Sequence, residues 1–200
     1  MRSIEIRRHS YTKKGADRGK GSHLSAQGVA VAREIGKHSG PFDLVLTSLV
    51  PRTLETAIAM GYAVDDQRDI LGDIPPDVLE EIGHHDRWTW ADPFARFAQL
   101  VGSGGPTARL GYQQRQVWMQ ALEAMAPHGR VLIISHGRII ESGLVACVGE
   151  ADFVAWGAPF QHCEGVRMAY EQGRFTNIQL LRLTQEEQTS ALEGNHSGTF

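Results

Sequence analysis

Arg2 to Ile6 alternate polar and apolar side chains, with Ile4 and Ile6 on one face, which predicts a short strand running into Arg8-His9. A polar stretch follows from Ser10 to His23. Leu24-Ser25-Ala26-Gln27-Gly28 then opens a helix in which Ser25 fits the N-cap, and Val29, Ala32, Ile35 and Gly36 recur at helical spacing until Gly40-Pro41 ends it. Phe42 to Thr47 is nearly all apolar after its first residues and suits a strand covered on both faces of a parallel sheet. Ser48 is placed to cap the next helix, with Pro51 in its first turn and Arg52 just inside it. Residues 61–76 read as a connection with one short strand.

Beyond it, residues 87–111 are rich in Trp, Phe, Ala and Gly, with Pro93 and Gly102 to Pro106 as breakers. This predicts a helical insertion, with a helix from Asp92-Pro93 through Val101. Trp88, Trp90, Phe94 and Phe97 suit a small satellite core or an aromatic lid. Tyr112 to Met125 reads as a second helix with Val117, Ala121, Leu122 and Met125 on one face. Arg130 to Ile134 is the clearest buried strand; it ends at Ser135-His136, and Ile139 to Val148 returns as a helix. After a Gly/Pro/aromatic loop over 152–162, Gly165 to Tyr170 and Phe175 to Leu183 flank Gln172-Gly173 as a β-hairpin.

Strands alternating with helices predict an α/β fold: a three-layer α/β/α sandwich with a mostly parallel central sheet, a C-terminal β-hairpin and a small helical insertion over about 84–111. One domain is expected over 1–183, followed by a polar tail, 184–200, partly helical near Glu186 and Glu187. Ligands of such sheets bind at the carboxyl ends of the strands.

Composition narrows the functional classes. The 200 residues fit one α/β domain, and 42% hydrophobic with 22% charged content is that of a soluble globular protein. A net charge of -3 argues against a nucleic-acid polymer as partner but leaves room for a local basic pocket. Cys147 and Cys163 have no metal or disulfide spacing and read as reduced core thiols. The chain starts with a charged strand, and no run approaches the roughly 18 apolar residues of a membrane helix, so a cytoplasmic enzyme or binding domain without membrane contact is expected. His84-His85-Asp86 are consecutive, do not converge on a helix and lack an HxxxH or HxH spacing, so no metal is expected there.

Three strand ends deliver Arg8-His9, Ser48 with Arg52, and Ser135-His136. A cation at a helix start, as Arg52 is, opposes the helix dipole, and a bound anion would remove the conflict. Two arginines fork onto phosphoryl oxygens with charge-assisted bonds. Their charge also lowers a neighbouring histidine's pKa and keeps the imidazole nucleophilic. A second histidine can stabilise charge on the phosphoryl oxygens. Glu80 and Glu81, beside Leu79 and Ile82, form either a solvated acidic turn or a source of a proton donor, with His84 and His85 as further candidates. Lys13, Lys14, Arg18 and Lys20 form either a solvated loop or a basic rim.

These pieces resemble the histidine phosphatase superfamily, the phosphoglycerate mutase-like fold. The resemblance rests on Arg8-His9-Ser10, Leu24-Ser25-Ala26-Gln27-Gly28, Ser48-Leu49-Val50-Pro51-Arg52-Thr53-Leu54-Glu55-Thr56-Ala57, Leu79-Glu80-Glu81-Ile82 and Ser135-His136-Gly137, in order over about residues 1–183. It implies His9 as the phosphorylated nucleophile, Arg8, Arg52 and His136 as the phosphate pocket, and His136 also as a catalytic group. Glu81 matches the family's acid better than Glu80, because it directly precedes the isoleucine. The resemblance implies no cofactor. Two departures stand out: Ser10 replaces the usual Gly, and Tyr11 stands where the mutases carry Glu. A phosphomonoesterase is therefore expected, acting on a phosphorylated small molecule or phosphoprotein. A mutase and a catalytically weak phosphate-binding or regulatory domain are the alternatives.

Overall fold

The structure, a computed structural model, describes residues 1–13, 21–84, 88–185, 187 and 189. At its centre, strand β1 (Arg2–Arg8) pairs in parallel with β4 (Arg130–Ser135) on one side and antiparallel with β5 (Gly165–Glu171) on the other. Outward from β4 come β2 (Leu44–Thr47) and the two-residue β3 (Asp66–Gln67), both parallel. Strand β6 (Arg174–Leu181) closes the hairpin with β5 and gives the order β3-β2-β4-β1-β5-β6.

Alternation along β4 explains the layers. Val131 and Ile133 face one side, with Ile4, Ile6 and Leu46, and pack against helices α3 (Pro76–Ile82), α4 (Pro93–Gly102), α5 (Pro106–Glu123) and α6 (Ile139–Cys147). Leu132 and Ile134 face the other side and pack with Val31, Ala32 and Ile35 of α1 (Ala26–Lys37) and Ala57 of α2 (Pro51–Ala59). This is the expected three-layer sandwich with its hairpin at one edge. Among the described residues, no helix is long and apolar enough to cross a membrane.

Three local expectations change. Phe94 and Phe97 do not form a satellite core; both are fully buried in the main cluster with Trp118, Ile133 and Ile140. Full burial stabilises each of these side chains by about 1.5–3 kcal/mol, and this fixes α4 to the body of the domain. Helix α5 begins at Pro106 instead of Tyr112, because proline fits the first helical position and Glu81 supplies an acceptor for the Thr107 N–H, 2.7 Å away. Ser48 does not cap α2, whose N-cap is Val50 with no side-chain cap bond; its hydroxyl is engaged elsewhere.

Two glycines set the approach of elements to β1. A Cβ on Gly28 would lie 2.0 Å from the Tyr11 carbonyl oxygen, so only glycine lets α1 sit against the segment after β1. A Cβ on Gly165 would lie 1.9 Å from the Ile6 oxygen, so β5 can pair there only without a side chain. Ser25 accepts the Gly28 N–H at 3.0 Å and caps α1, as its position in the sequence predicts. The loop residues Lys14, Arg18 and Lys20, together with His85, Asp86, Glu186 and residues 190–200 of the tail, lie outside the described residues.

Candidate active site

Parallel pairing of β1 with β4 brings the two histidines together. Arg8 is opposite Ser135 in the register, and the His9 N–H donates to the Ser135 oxygen at 2.9 Å. Each strand therefore ends in a histidine at the same height, and the two rings stand edge to face with centroids 5.1 Å apart. Strand β2, on the far side of β4, ends at Thr47, and Ser48 leads from it into α2 with Arg52.

His9 is 8% exposed, and its Nδ1 lies 2.8 Å from the Ser10 carbonyl oxygen. A carbonyl only accepts, so Nδ1 carries the hydrogen and Nε2 keeps its lone pair. Burial, followed by the fields of His136 and Arg52, holds the His9 pKa well below its ordinary value and keeps the ring neutral.

His136 has the opposite tautomer. The Arg52 guanidinium donates to its Nδ1 at 3.2 Å, so Nε2 carries the hydrogen and donates to Ser48 Oγ at 3.0 Å. Ser48 in turn donates to Thr53 Oγ1 at 2.8 Å, and Thr53 donates to the Val50 carbonyl at 2.8 Å. The Ser48 hydroxyl, held by Thr53, gives the His136 Nε2–H a fixed acceptor, which orients the imidazole. Burial, then Arg52, Arg8 and Arg138, lowers the His136 pKa to about 3. Arg52 is itself shifted down by burial and by Arg8. The cation at the start of α2, anomalous in the sequence, therefore turns back toward His136 and Arg8.

Arg8 donates to the Phe160 carbonyl at 2.7 Å. The loop carrying Phe160 is held by Arg182, which donates to the oxygens of Trp156 at 2.9 Å and Glu164 at 2.8 Å and lies over the Phe160 ring. Glu141, buried with its pKa pushed up by burial, accepts the Phe160 N–H at 3.0 Å and the backbone N–H of Arg138. His162 of this loop stands edge to face with His9, centroids 5.4 Å apart, and packs on Tyr11.

Arg8, His9, Arg52 and His136 line one cavity of about 750 Å³. The fifth expected residue does not join them. Glu81 points toward the start of α5, where it accepts from Thr107, and neither it nor the exposed Glu80 lines the cavity. Two carboxylates that the sequence analysis does not single out, Asp73 and Glu141, do line it, as does His84. Ser135 Oγ donates to the Leu71 oxygen at 2.7 Å and anchors that turn. A Cβ on Gly72 would be 2.6 Å from Ser48 Cβ, so glycine lets the backbone lie over Ser48 and His136 and sets Asp73 at the cavity. Leu71-Gly72-Asp73 repeats the Leu-x-acid spacing of Leu79-Glu80-Glu81, and this was the available signal. The Ser10 hydroxyl donates to the Gly28 oxygen at 2.7 Å, and Ser10 does not line the cavity.

Two strand-end histidines and two arginines thus stand around one cavity. The chain belongs to the histidine phosphatase superfamily (branch 1), whose model matches residues 5–182. Among solved structures it is similar to a phosphoserine phosphatase from Entamoeba histolytica in complex with 3-phosphoglyceric acid (TM-score 0.66, 16% identity, covering 94% of this chain and 100% of that one). It is also similar to a mycobacterial glucosyl-3-phosphoglycerate phosphatase (TM-score 0.61, 18% identity, 92% and 100% covered). A third similar structure is a phosphoglycerate mutase from Bacillus anthracis (TM-score 0.60, 16% identity, 97% and 96% covered). These likenesses show the fold. No curated protein matches the sequence.

Proposed function

We propose that the protein is a metal-independent phosphatase that hydrolyses phosphomonoesters through a phosphohistidine on His9. The observation that carries this reading is the His9 tautomer. With Nδ1–H tied to Ser10, a neutral ring offers Nε2 as nucleophile in a cavity it shares with Arg8, Arg52 and His136. Nε2 attacks phosphorus in line, the bond to the leaving oxygen breaks, and the guanidiniums and His136 meet the charge on the phosphoryl oxygens. Two fixed cations supply this charge, so the proposed reaction draws on no metal.

Asp73 replaces Glu81 as the proposed proton donor, because the reaction needs an acid in the cavity and Glu81 is outside it. Its carboxyl protonates the leaving oxygen, and the resulting carboxylate takes a proton from the water that attacks the phosphohistidine. The chemistry of His136 changes on binding. In the free site its Nδ1 accepts from Arg52; a phosphate dianion draws the guanidinium to itself and favours protonation of Nδ1, which then donates to a phosphoryl oxygen.

The reading treats residues 1–183 as one catalytic domain, with 184–200 as a tail. Phosphatase is favoured over mutase by Tyr11, which packs on His162 where the mutases carry Glu. A phosphorylated small molecule or a phosphoprotein remains the substrate class. Phosphate release from p-nitrophenyl phosphate in excess EDTA tests the reading. Wild type is expected to turn over and His9→Ala to be inactive. Equal rates for the two would overturn it, and phosphoryl transfer between positions of one substrate without release would favour the mutase.

A further inference from the structure

Beyond the phosphate pocket the cavity continues along the turn from β4 into α6, and Arg138 links the two regions. It follows His136-Gly137 directly and lines the same cavity. Its backbone has φ +71° and ψ −47°, a conformation that a residue with a Cβ holds at a cost of about 1–3 kcal/mol. Glycine would take this position without strain. The turn is held around it: Glu141 accepts the Arg138 N–H, the Ile140 N–H donates to the His136 oxygen at 3.1 Å, and the Ser142 N–H donates to the Arg138 oxygen at 2.9 Å.

The side chain runs outward. Arg138 Nη1 donates to the Gly83 oxygen at 3.2 Å, which sets the guanidinium beside the wall that carries His84. A phosphoryl group held by Arg8, Arg52 and His136 occupies a small part of about 750 Å³. The alcohol part of a substrate extends into the rest and meets a guanidinium there. Glu141, which also lines the cavity, has its two oxygens committed to the backbone N–H groups of Arg138 and Phe160. A planar guanidinium fork suits a carboxylate or a phosphate, with two parallel bonds.

We propose that Arg138 is a specificity-determining residue that binds a second anionic group, carboxylate or phosphate, on the alcohol part of the substrate. The proposal rests on the phosphatase reading of the neighbouring pocket. It makes the substrate a small phosphomonoester with two anionic groups, and it explains why a strained arginine stands where glycine would be relaxed.

Calorimetric titration with non-hydrolysable phosphonates tests this without turnover. Phosphonoacetate, phosphonopropionate and phosphonobutyrate are compared with alkylphosphonates of the same chain length, and bisphosphonates of those lengths decide between carboxylate and phosphate. For wild type, at least one doubly anionic ligand is expected to bind about tenfold or more tightly than its alkyl counterpart, or about 1.4 kcal/mol. Arg138→Gln is expected to bring that ratio to about one. Should the glutamine variant fail to fold, Arg138→Gly carries the same expectation and relieves the positive φ. If alkylphosphonates bind but the second anion adds nothing, or if its advantage survives in the variant, the role of Arg138 is overturned and the phosphate pocket stands. If wild type binds no alkylphosphonate, the pocket itself is overturned and this inference with it.

Discussion

Ser48→Ala is the perturbation that separates the orientation of His136 from its mere presence. Ser48 Oγ is fully buried and takes part in hydrogen bonds with His136 Nε2 at 3.0 Å, Thr53 Oγ1 at 2.8 Å and the Val50 N–H at 3.2 Å. Thr53 has alternative acceptors in the Ser48 and Val50 carbonyls, so its hydroxyl remains satisfied. The His136 Nε2–H loses the acceptor that fixes its ring, and the Val50 N–H loses its acceptor as well. A buried donor left without a partner costs about 1–3 kcal/mol, so the expected loss of stability is about 2–6 kcal/mol for the two. The same term bears on catalysis, because an imidazole free to turn over no longer presents Nδ1 to the phosphoryl group. Misorientation worth about 1.4–2.8 kcal/mol in the transition state lowers kcat roughly 10–100-fold. KM changes little, since Arg8 and Arg52 are untouched. The assay is steady-state release from p-nitrophenyl phosphate in EDTA beside urea unfolding. A variant that loses stability but keeps kcat within about twofold of wild type would refute the claim that this hydrogen bond orients a catalytic histidine.

The remaining predictions concern charge and the acid. His9 and His136 are buried neutral, with folded pKa values below the ordinary 6.5 and, for His136, about 3. The unfolded chain therefore binds more protons below pH 6.5, so their contribution is fully present above pH 6.5 and is lost as pH falls through the folded value, about 3 for His136. Each histidine adds a slope of up to ~1.4 kcal/mol per pH unit, and His136→Gln should flatten the stability profile between about pH 6 and 4; an unchanged slope in urea unfolding would count against the buried neutral ring. Asp73→Asn should slow alkyl phosphates, with poor leaving groups, at least about tenfold more than p-nitrophenyl phosphate. Glu81→Gln should instead lower stability by about 0.5–2 kcal/mol through the start of α5 and leave this leaving-group dependence in place; the reverse pattern would restore Glu81 as the donor. Arg52→Ala should weaken vanadate binding by at least ~1.5–3 kcal/mol, and equal affinity would argue against the phosphate pocket.

Much of the frame was legible because the strands are strongly patterned. Ile4 and Ile6 in β1 and the unbroken apolar run in β4 define buried parallel strands, and each ends in a histidine, so the sheet edge and both imidazoles follow from the one-dimensional pattern. The tautomers were not legible. They depend on which atom faces Ser10, Ser48 or Arg52, and these partners are set by the register between strands far apart in sequence. A Leu-x-acid spacing occurs twice, at Leu71-Gly72-Asp73 and Leu79-Glu80-Glu81, so the spacing alone does not say which acid faces the cavity. Only the packing of Gly72 over Ser48 decides which copy reaches the cavity. Ser48 stands before a helix as a cap does, but a capping hydroxyl and an imidazole partner have the same sequence signature. The aromatic segment after His84 carries the breakers of an insertion, and this pattern points to the periphery. Phe94 and Phe97 nevertheless fill the main core, where residues distant in sequence supply the cavity they occupy.

The central claim is that phosphorus is bonded to His9 Nε2 during turnover. Rapid mixing with a phosphomonoester, an alkaline quench that preserves phosphohistidine, and peptide mass spectrometry tests it most directly. The account predicts one phosphoryl group on the peptide containing His9 in wild type, and its absence in His9→Ala. Turnover by wild type with no phosphoenzyme at any quench time, or a phosphoryl group on another residue, would contradict it.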